Sequence, residues 1–305
     1  MRSILNKASI GSRPGGRPPG AVELSPEGVL AAALSGSGEA PVYAFVPLPA
    51  GALVPGIGEP NIRDAETISD AIRSALNLVS PRTRAVTLVL PDTAVRVFVL
   101  DFDSLPSRAA EAVSVLRFRL RKMVPFDVEH AGVSYQVLTQ GANEWRVLTA
   151  VLPGPILAEY EAAVRAAGYE PGAVLPSSLA ALEAINSMEA VLAANLSALA
   201  LTTSIANGRD LLLHRTLDLP DEPSLRLSEI QRGIAVAAAY FEDKLQAPAR
   251  TLHYAGCYDT SDFARWIDNP ELTVIDLAPR PETGAATALG NANIAGAAGA
   301  LAGAS

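Results

Sequence analysis

Residues 86–138 read VTLVLPDTAVRVFVLDFDSLPSRAAEAVSVLRFRLRKMVPFDVEHAGVSYQVL. Ala85–Leu90 is a continuous apolar run stopped by Pro91-Asp92, the pattern of a strand buried on both faces. Val95, Val97 and Val99 alternate with Arg96 and Phe98, which predicts a second strand. From Ser107 to Met123 the residues Val113, Leu116, Leu120 and Met123 recur at helical spacing. Glu111 lies near the start of that helix and Arg117, Arg119, Arg121 and Lys122 at its end, an order that suits the helix dipole. Pro125 prevents continuation. Strands over Gly132–Thr139 and Trp145–Leu152 follow.

On the N-terminal side, residues 21–24 and Val29–Leu34 are expected to form a hairpin about Ser25-Pro26-Glu27-Gly28, with a third strand at Pro41–Leu48. A helix from Asp64 to Val79 has Asp64 as N-cap and Ile68, Ile72, Leu76 and Val79 on one face. Residues 1–19 combine Arg, Gly and Pro with little apolar area, the composition of a flexible arm. On the C-terminal side, helices are expected from Pro155 to Gly168 and from Ser177 to Ile185. Strands are expected at Leu199–Ile205 and Asp210–Leu217, joined through Asn207-Gly208. A long helix over Leu225–Gln246, a strand at Arg250–Tyr254, a short helix at Phe263–Asp268 and a strand at Leu272–Leu277 complete the pattern. Ala285–Ala304 reads as a small-residue helix. Each half therefore runs from a meander into a helix and further strands, a duplicated two-lobed α/β organisation with a cleft between the lobes.

Composition narrows the function. The 305 residues suffice for two domains, and a net charge of −8 excludes a general affinity for nucleic acid. The single cysteine, Cys257, cannot form an internal disulfide. No apolar run is long enough to span a bilayer and no secretory signal is evident, so a cytoplasmic location is expected.

Catalytic chemistry is not legible. His130, His214 and His253 share no metal-ligand spacing with one another or with Cys257, so no metal site is expected, and Cys257 reads as a buried thiol. There is no G-x-S-x-G elbow and no Walker-type loop. The Gly36/Gly38 and Gly56/Gly58 pairs read as surface loops. Asp101/Asp103, Asp221/Glu222 and Glu242/Asp243 read as solvated turn residues. Arg117 and Arg121, spaced i,i+4, form a basic stripe that is either a solvated face or a site for an acidic partner segment.

Leu90-Pro91, Val124-Pro125-Phe126 and Tyr135-Gln136-Val137-Leu138, in that order, resemble the type IV pilus assembly protein PilM family, cytoplasmic actin-like relatives of the cell-division protein FtsA. The order of elements matches over most of residues 20–305. The resemblance implies an actin-like (ribonuclease H-like, duplicated) ATPase fold. Its first lobe would span 20–180 with an inserted subdomain at about 101–151, and its second 181–305, ending in the small-residue helix. It implies a cytoplasmic scaffold peripheral to the inner membrane in a pilus or type II secretion-like machine. Its partners would be the N-terminal peptide of a PilN-like membrane protein and the motor ATPases, and self-association stays open. Arg117, Arg121 and Phe126 are the expected partner-binding residues.

An actin-like nucleotide site needs a D-x-G hairpin near the start of each lobe, with glycine letting backbone N–H groups approach the phosphates and the acid helping to hold Mg²⁺. Here the first position is Glu23-Leu24-Ser25 and the second is taken as Leu201-Thr202-Thr203-Ser204. The adenosine turn is reduced to Ala255-Gly256-Cys257. Glu23, Ser25, Thr202, Thr203 and Gly256 are thus expected as a vestigial nucleotide site, with no catalytic residue and no bound cofactor. The alternative is an active actin-like Mg-ATP-binding protein or kinase. A secretion component of the GspL type shares the fold but normally carries its own membrane helix.

Overall fold

The first strand, β1 (Gly20–Ser25), turns at Pro26-Glu27 into β2 (Gly28–Ala33), and β3 (Val42–Pro47) pairs on the far side. The computed structural model describes residues 17–34, 40–142, 144–187, 189–208, 210–278, 289 and 292–304; most of the expected N-terminal arm and the Gly36/Gly38 pair lie outside them. α1 (Ala65–Val79) begins at Asp64, whose carboxylate accepts from the Thr67 N–H at 3.0 Å, and buries Ile68, Ile72, Leu76 and Val79. β4 (Ala85–Leu90) then pairs parallel with β1. After the inserted elements, α3 (Gly154–Ala166) leads to β8 (Glu170–Pro176), parallel to β4, and to α4 (Ser177–Leu182). The sheet order is β3-β2-β1-β4-β8.

The second half repeats this plan. Its strands are β9 (Val191–Leu196), β10 (Ala200–Asn207), β11 (Asp210–Asp218), β12 (Thr251–Gly256) and β13 (Thr273–Asp276), in the order β11-β10-β9-β12-β13. α5 (Pro223–Leu245) and α6 (Thr260–Ile267) occupy the connections corresponding to α1 and α3. α7 (Ala295–Ala302) closes the chain, shorter than the helix expected from 285 to 304, part of which lies outside the described residues.

Alternation along the strands sorts side chains into layers. Val22 and Leu24 of β1 face a core with α1 and α3, while Leu192, Ala194 and Leu196 of β9 face a core with α5 and α6. The opposite faces, Ala21 of β1 and Ala193 of β9, meet α4 and α7 in a third core between the sheets. The order is helices, sheet, two crossing helices, sheet, helices. Small residues allow the crossing: a Cβ on Gly299 of α7 would overlap the Ala180 carbonyl of α4. This duplicated arrangement is the actin-like ATPase fold.

Two strands escape the pattern of the sequence. β8 contains Pro171 and Gly172, and β9 is VLAANL, whose alanines have weak strand preference. β9 is held between β10 and β12, and β8 pairs with β4 at the edge of its sheet. The second lobe therefore starts its sheet at Val191, one strand earlier than expected.

The inserted unit is a three-stranded sheet of β5 (Arg96–Phe102), β6 (Gly132–Gln140) and β7 (Trp145–Leu152), in the order β5-β7-β6, with α2 (Ala109–Leu120) packed on it. The buried stripe of α2 is Ala112, Leu116 and Leu120; Met123, expected on it, is 40% exposed. β5 lies beside the outer strand β11 of the second lobe. Arg146 of β7 reaches Asp210 of β11 at 3.0 Å and Asp101 of β5 at 3.5 Å, and Arg96 lies 3.9 Å from Asp218. The insert thus straps one lobe to the other. For Arg146→Ala we expect a loss of about 1 kcal/mol. It is measured by urea unfolding, with faster amide exchange in β11 as the local sign.

Candidate functional site: the interlobe cleft

The cleft opens between the two leading hairpins. Glu23, on the inward face of β1, is 8% exposed and sits opposite α7. Its carboxylate accepts from the Ser177 hydroxyl at 2.6 Å and from the Ala297 N–H in the first turn of α7 at 2.9 Å. A Cβ on Gly296 would lie 2.5 Å from both carboxylate oxygens, so only glycine admits this approach. Burial pushes the Glu23 carboxyl up to about 7, against the pull of these two hydrogen bonds and with a contribution from Asp92.

Asp92 lies just beyond β4, at the N-terminus of α4. It accepts from the Ser178 N–H at 3.0 Å, the Ser178 hydroxyl at 2.8 Å, the Thr202 hydroxyl at 2.9 Å and the Asn195 amide at 3.3 Å. Ser178 belongs to the first lobe; Thr202 and Asn195 belong to the second. Burial raises this carboxyl as well, with all four bonds opposing. Asn195 also donates to the Ser177 hydroxyl at 3.2 Å and accepts from Asn293 at 3.2 Å. Nearby, His214 of β11 bonds Ser204 through Nδ1 at 2.9 Å and faces the Ser178 hydroxyl through Nε2 at 3.5 Å; burial lowers it to about 4.

The lobes' shared plan identifies the hairpin positions. In the first lobe the turn is Glu23-Leu24-Ser25 before Pro26-Glu27. In the second, β9 turns into β10 through Asn195-Leu196-Ser197 before Ala198-Leu199. The second phosphate-type turn is therefore Asn195–Ser197. Thr202 and Thr203, expected there, lie in mid-strand on β10, opposite Thr216 and Arg215. The one-strand shift caused by the unread β9 explains the misplacement. A polar-Leu-Ser repeat at 23–25 and 195–197 was the available signal.

Both turns bond to themselves. The Gly28 N–H donates to the Ser25 hydroxyl at 3.2 Å. The Leu199 and Ala200 N–H groups donate to the Ser197 hydroxyl at 3.2 and 3.0 Å. Pro26 has no N–H to offer. At the end of β12, the Cys257 N–H donates to the Leu196 carbonyl at 3.2 Å, tying the Ala255-Gly256-Cys257 turn to the second hairpin. A Cβ on Gly256 would overlap Tyr254, whose ring stacks on Phe263 at 4.1 Å. Cys257 is half-buried rather than buried, and burial pushes its thiol up to about 11, leaving it unreactive at neutral pH.

Two adjoining cavities of about 240 and 330 Å³ share Cys257, Ala292 and Asn293. The first lies at Glu23, Ser25 and Asn195; the second lies at Gly256 and the start of α6. Glu23, Glu27, Asp92, Asp259, Asp262 and Asp276 line them, and among the described residues no Lys, Arg or His does. The described residues contain no cluster of metal-ligating side chains.

The expected partner-binding residues are placed differently. Arg117 turns back along α2 and donates to the Val128 and Ala131 carbonyls. Arg121 is exposed but pairs with Glu129, and Phe126 packs against the core of the insert. They form no outward basic stripe, because the loop after α2 folds over the end of the helix and supplies acceptors. The residues that face outward are Val115, Phe118, Arg119, Lys122 and Met123.

No family model matches the sequence, and no curated protein matches it. Solved structures do. The chain is similar to a protein of a PilM–PilN type IV pilus biogenesis complex, with a TM-score of 0.75 and 18% identity over 95% of this chain and 100% of that one. The fold is actin-like throughout. The chain is also similar to the cytoplasmic domain of EpsL, an inner-membrane component of the type II secretion system of Vibrio cholerae, with a TM-score of 0.50 and 15% identity over 88% of this chain and 92% of that one. Among the described residues no helix is long and apolar enough to cross a membrane.

Proposed function

We propose that this chain is an actin-like assembly scaffold of a pilus or secretion-type machine. It binds the short cytoplasmic segment of a PilN-like membrane protein, links it to the motor ATPases from the cytoplasmic face of the inner membrane, and does not turn over ATP. The observation that carries the reading is the likeness to the PilM–PilN complex over that chain's full length. The cleft supports the second half of it. A bound triphosphate needs free backbone donors, a cation and a carboxylate available to hydrated Mg²⁺. Here the hairpin donors bond to their own serines, and Glu23 and Asp92 are occupied by six protein hydrogen bonds in all.

Titration of the full chain with a synthetic peptide copying the cytoplasmic N-terminus of a PilN-like membrane protein tests the scaffold reading. Saturable binding is expected, and its absence at millimolar peptide overturns the reading. The rival, an active nucleotide-binding protein, has the size of the cleft in its favour. A thermal-shift titration separates the two. With millimolar Mg-ATP the unfolding temperature is expected to move by less than about 1 °C, whereas saturating a site a hundredfold above its Kd stabilises by about 2.7 kcal/mol. A rise of several degrees overturns the degenerate cleft.

A further inference from the structure

Among the described residues, the outer face of α2 has no partner. Ala112, Leu116 and Leu120 are fully buried against the inserted sheet. At 100° per residue, Phe118 points away from that stripe, with Val115 about 60° and Arg119 about 100° round the helix from it, and Lys122 and Met123 follow the end of the helix at Leu120. Phe118 is 71% exposed, Met123 40% and Val115 37%. Arg119 and Lys122 have no hydrogen-bond or ion-pair partner among the described residues, whereas Arg108, Arg117 and Arg121 are all engaged. Of the acids near this face, Glu111 pairs with Arg108 and Glu129 with Arg121, while Asp127 hydrogen-bonds His130.

We propose that this face docks on an anionic lipid surface, with Phe118 and Val115 entering the headgroup boundary and Arg119 and Lys122 meeting lipid phosphates. The shape favours lipid over a peptide, because the patch is the convex side of a single helix and not a groove. The charge favours it too, since two cations without a partner among the described residues lie near an exposed aromatic on a chain of net charge −8. That overall charge acts weakly across the molecule, since screening confines it to about 8 Å at physiological ionic strength. A patch of two cations and one aromatic binds weakly alone. It suits a protein held at the membrane by a second contact, and it orients the insert toward the bilayer.

The test is co-sedimentation of the full chain with vesicles of phosphatidylcholine alone and of phosphatidylcholine with phosphatidylglycerol in equal parts. Binding is expected only to the anionic vesicles and should weaken as salt rises. Arg119→Glu with Lys122→Glu should reduce it at least tenfold, and Phe118→Ser several-fold, with thermal unfolding unchanged because all three side chains are exposed. Equal binding to neutral vesicles, no binding to anionic ones, or full retention by the double variant overturns the proposal. So does self-association that Phe118→Ser abolishes without any vesicle binding, which assigns the face to a second copy of the chain.

Discussion

Asp92→Ala is expected to destabilise the protein by about 3 kcal/mol or more, measured as a fall in the urea midpoint at pH 7. The side chain accepts four hydrogen bonds from both lobes. Its removal leaves the Ser178 N–H and one Asn195 amide hydrogen without an acceptor, while the Thr202 hydroxyl keeps Thr216. An abandoned buried donor costs about 1–3 kcal/mol. Asp92→Asn keeps the shape and two lone pairs but presents an amide to donors, so its loss should be smaller and should fall on the Thr202–Asn195 side. Amide exchange then reports which lobe loosens. An unchanged midpoint for Asp92→Ala would show that this network does not hold the lobes together.

The second large effect is a pair of opposite pH slopes. Glu23 is raised from an ordinary value near 4.5 to about 7 by burial. A raised carboxyl contributes stability that is fully present below the unfolded value and is lost as pH rises through the folded one. His214 is lowered from about 6.5 to about 4 by burial. Its contribution is present above the unfolded value and is lost as pH falls toward the folded one. The two windows overlap between roughly pH 4.5 and 6.5 with opposite signs, each on the order of 3 kcal/mol across its full span. Asp92, also raised, adds to the Glu23 side. With two carboxyls on one side and one imidazole on the other, wild-type stability should fall gently as pH rises through this range. Glu23→Gln leaves the histidine's slope, so its stability should rise with pH relative to wild type. His214→Gln leaves the carboxylates', so its stability should fall. Urea midpoints at pH 4.5, 5.5 and 6.5 decide it. Parallel profiles for the two variants would sink the assignment.

The same hydrogen bonds bear on the proposal of a scaffold role. In a site built for nucleotide, the leading turns keep their donors free until ligand arrives. Here the Ser25 and Ser197 hydroxyls accept those donors, and the longer side chain of Glu23 reaches across to the first turn of α7. Among the described residues, the lobes are joined across the cleft by Asp92, Asn195 and Thr202.

Most of the secondary structure was legible because it depends on local signals. Asp64 caps α1, Pro91-Asp92 ends β4, Gly168 takes positive φ after α3, and Asn207-Gly208 turns β10 into β11, Gly208 also at positive φ. The duplicated plan and the resemblance carried by Leu90-Pro91, Val124-Pro125-Phe126 and Tyr135–Leu138 led to the actin-like fold. What the linear pattern left undecided was everything set by partners distant in sequence. β9 exists because β10 and β12 flank its alanines, and only its presence makes Asn195, not Thr202, the counterpart of Glu23. Arg117 turns inward and Arg121 is paired at the surface because Val128, Glu129 and Ala131 lie over the end of α2. Asp92 reads as a turn residue and becomes the centre of a network joined across 86 to 110 positions. Capping, turn and periodicity signals act within a few residues, so the chain states them directly. Burial, hydrogen-bond partners and shifted protonation belong to groups that meet only once the two lobes close on α4 and α7.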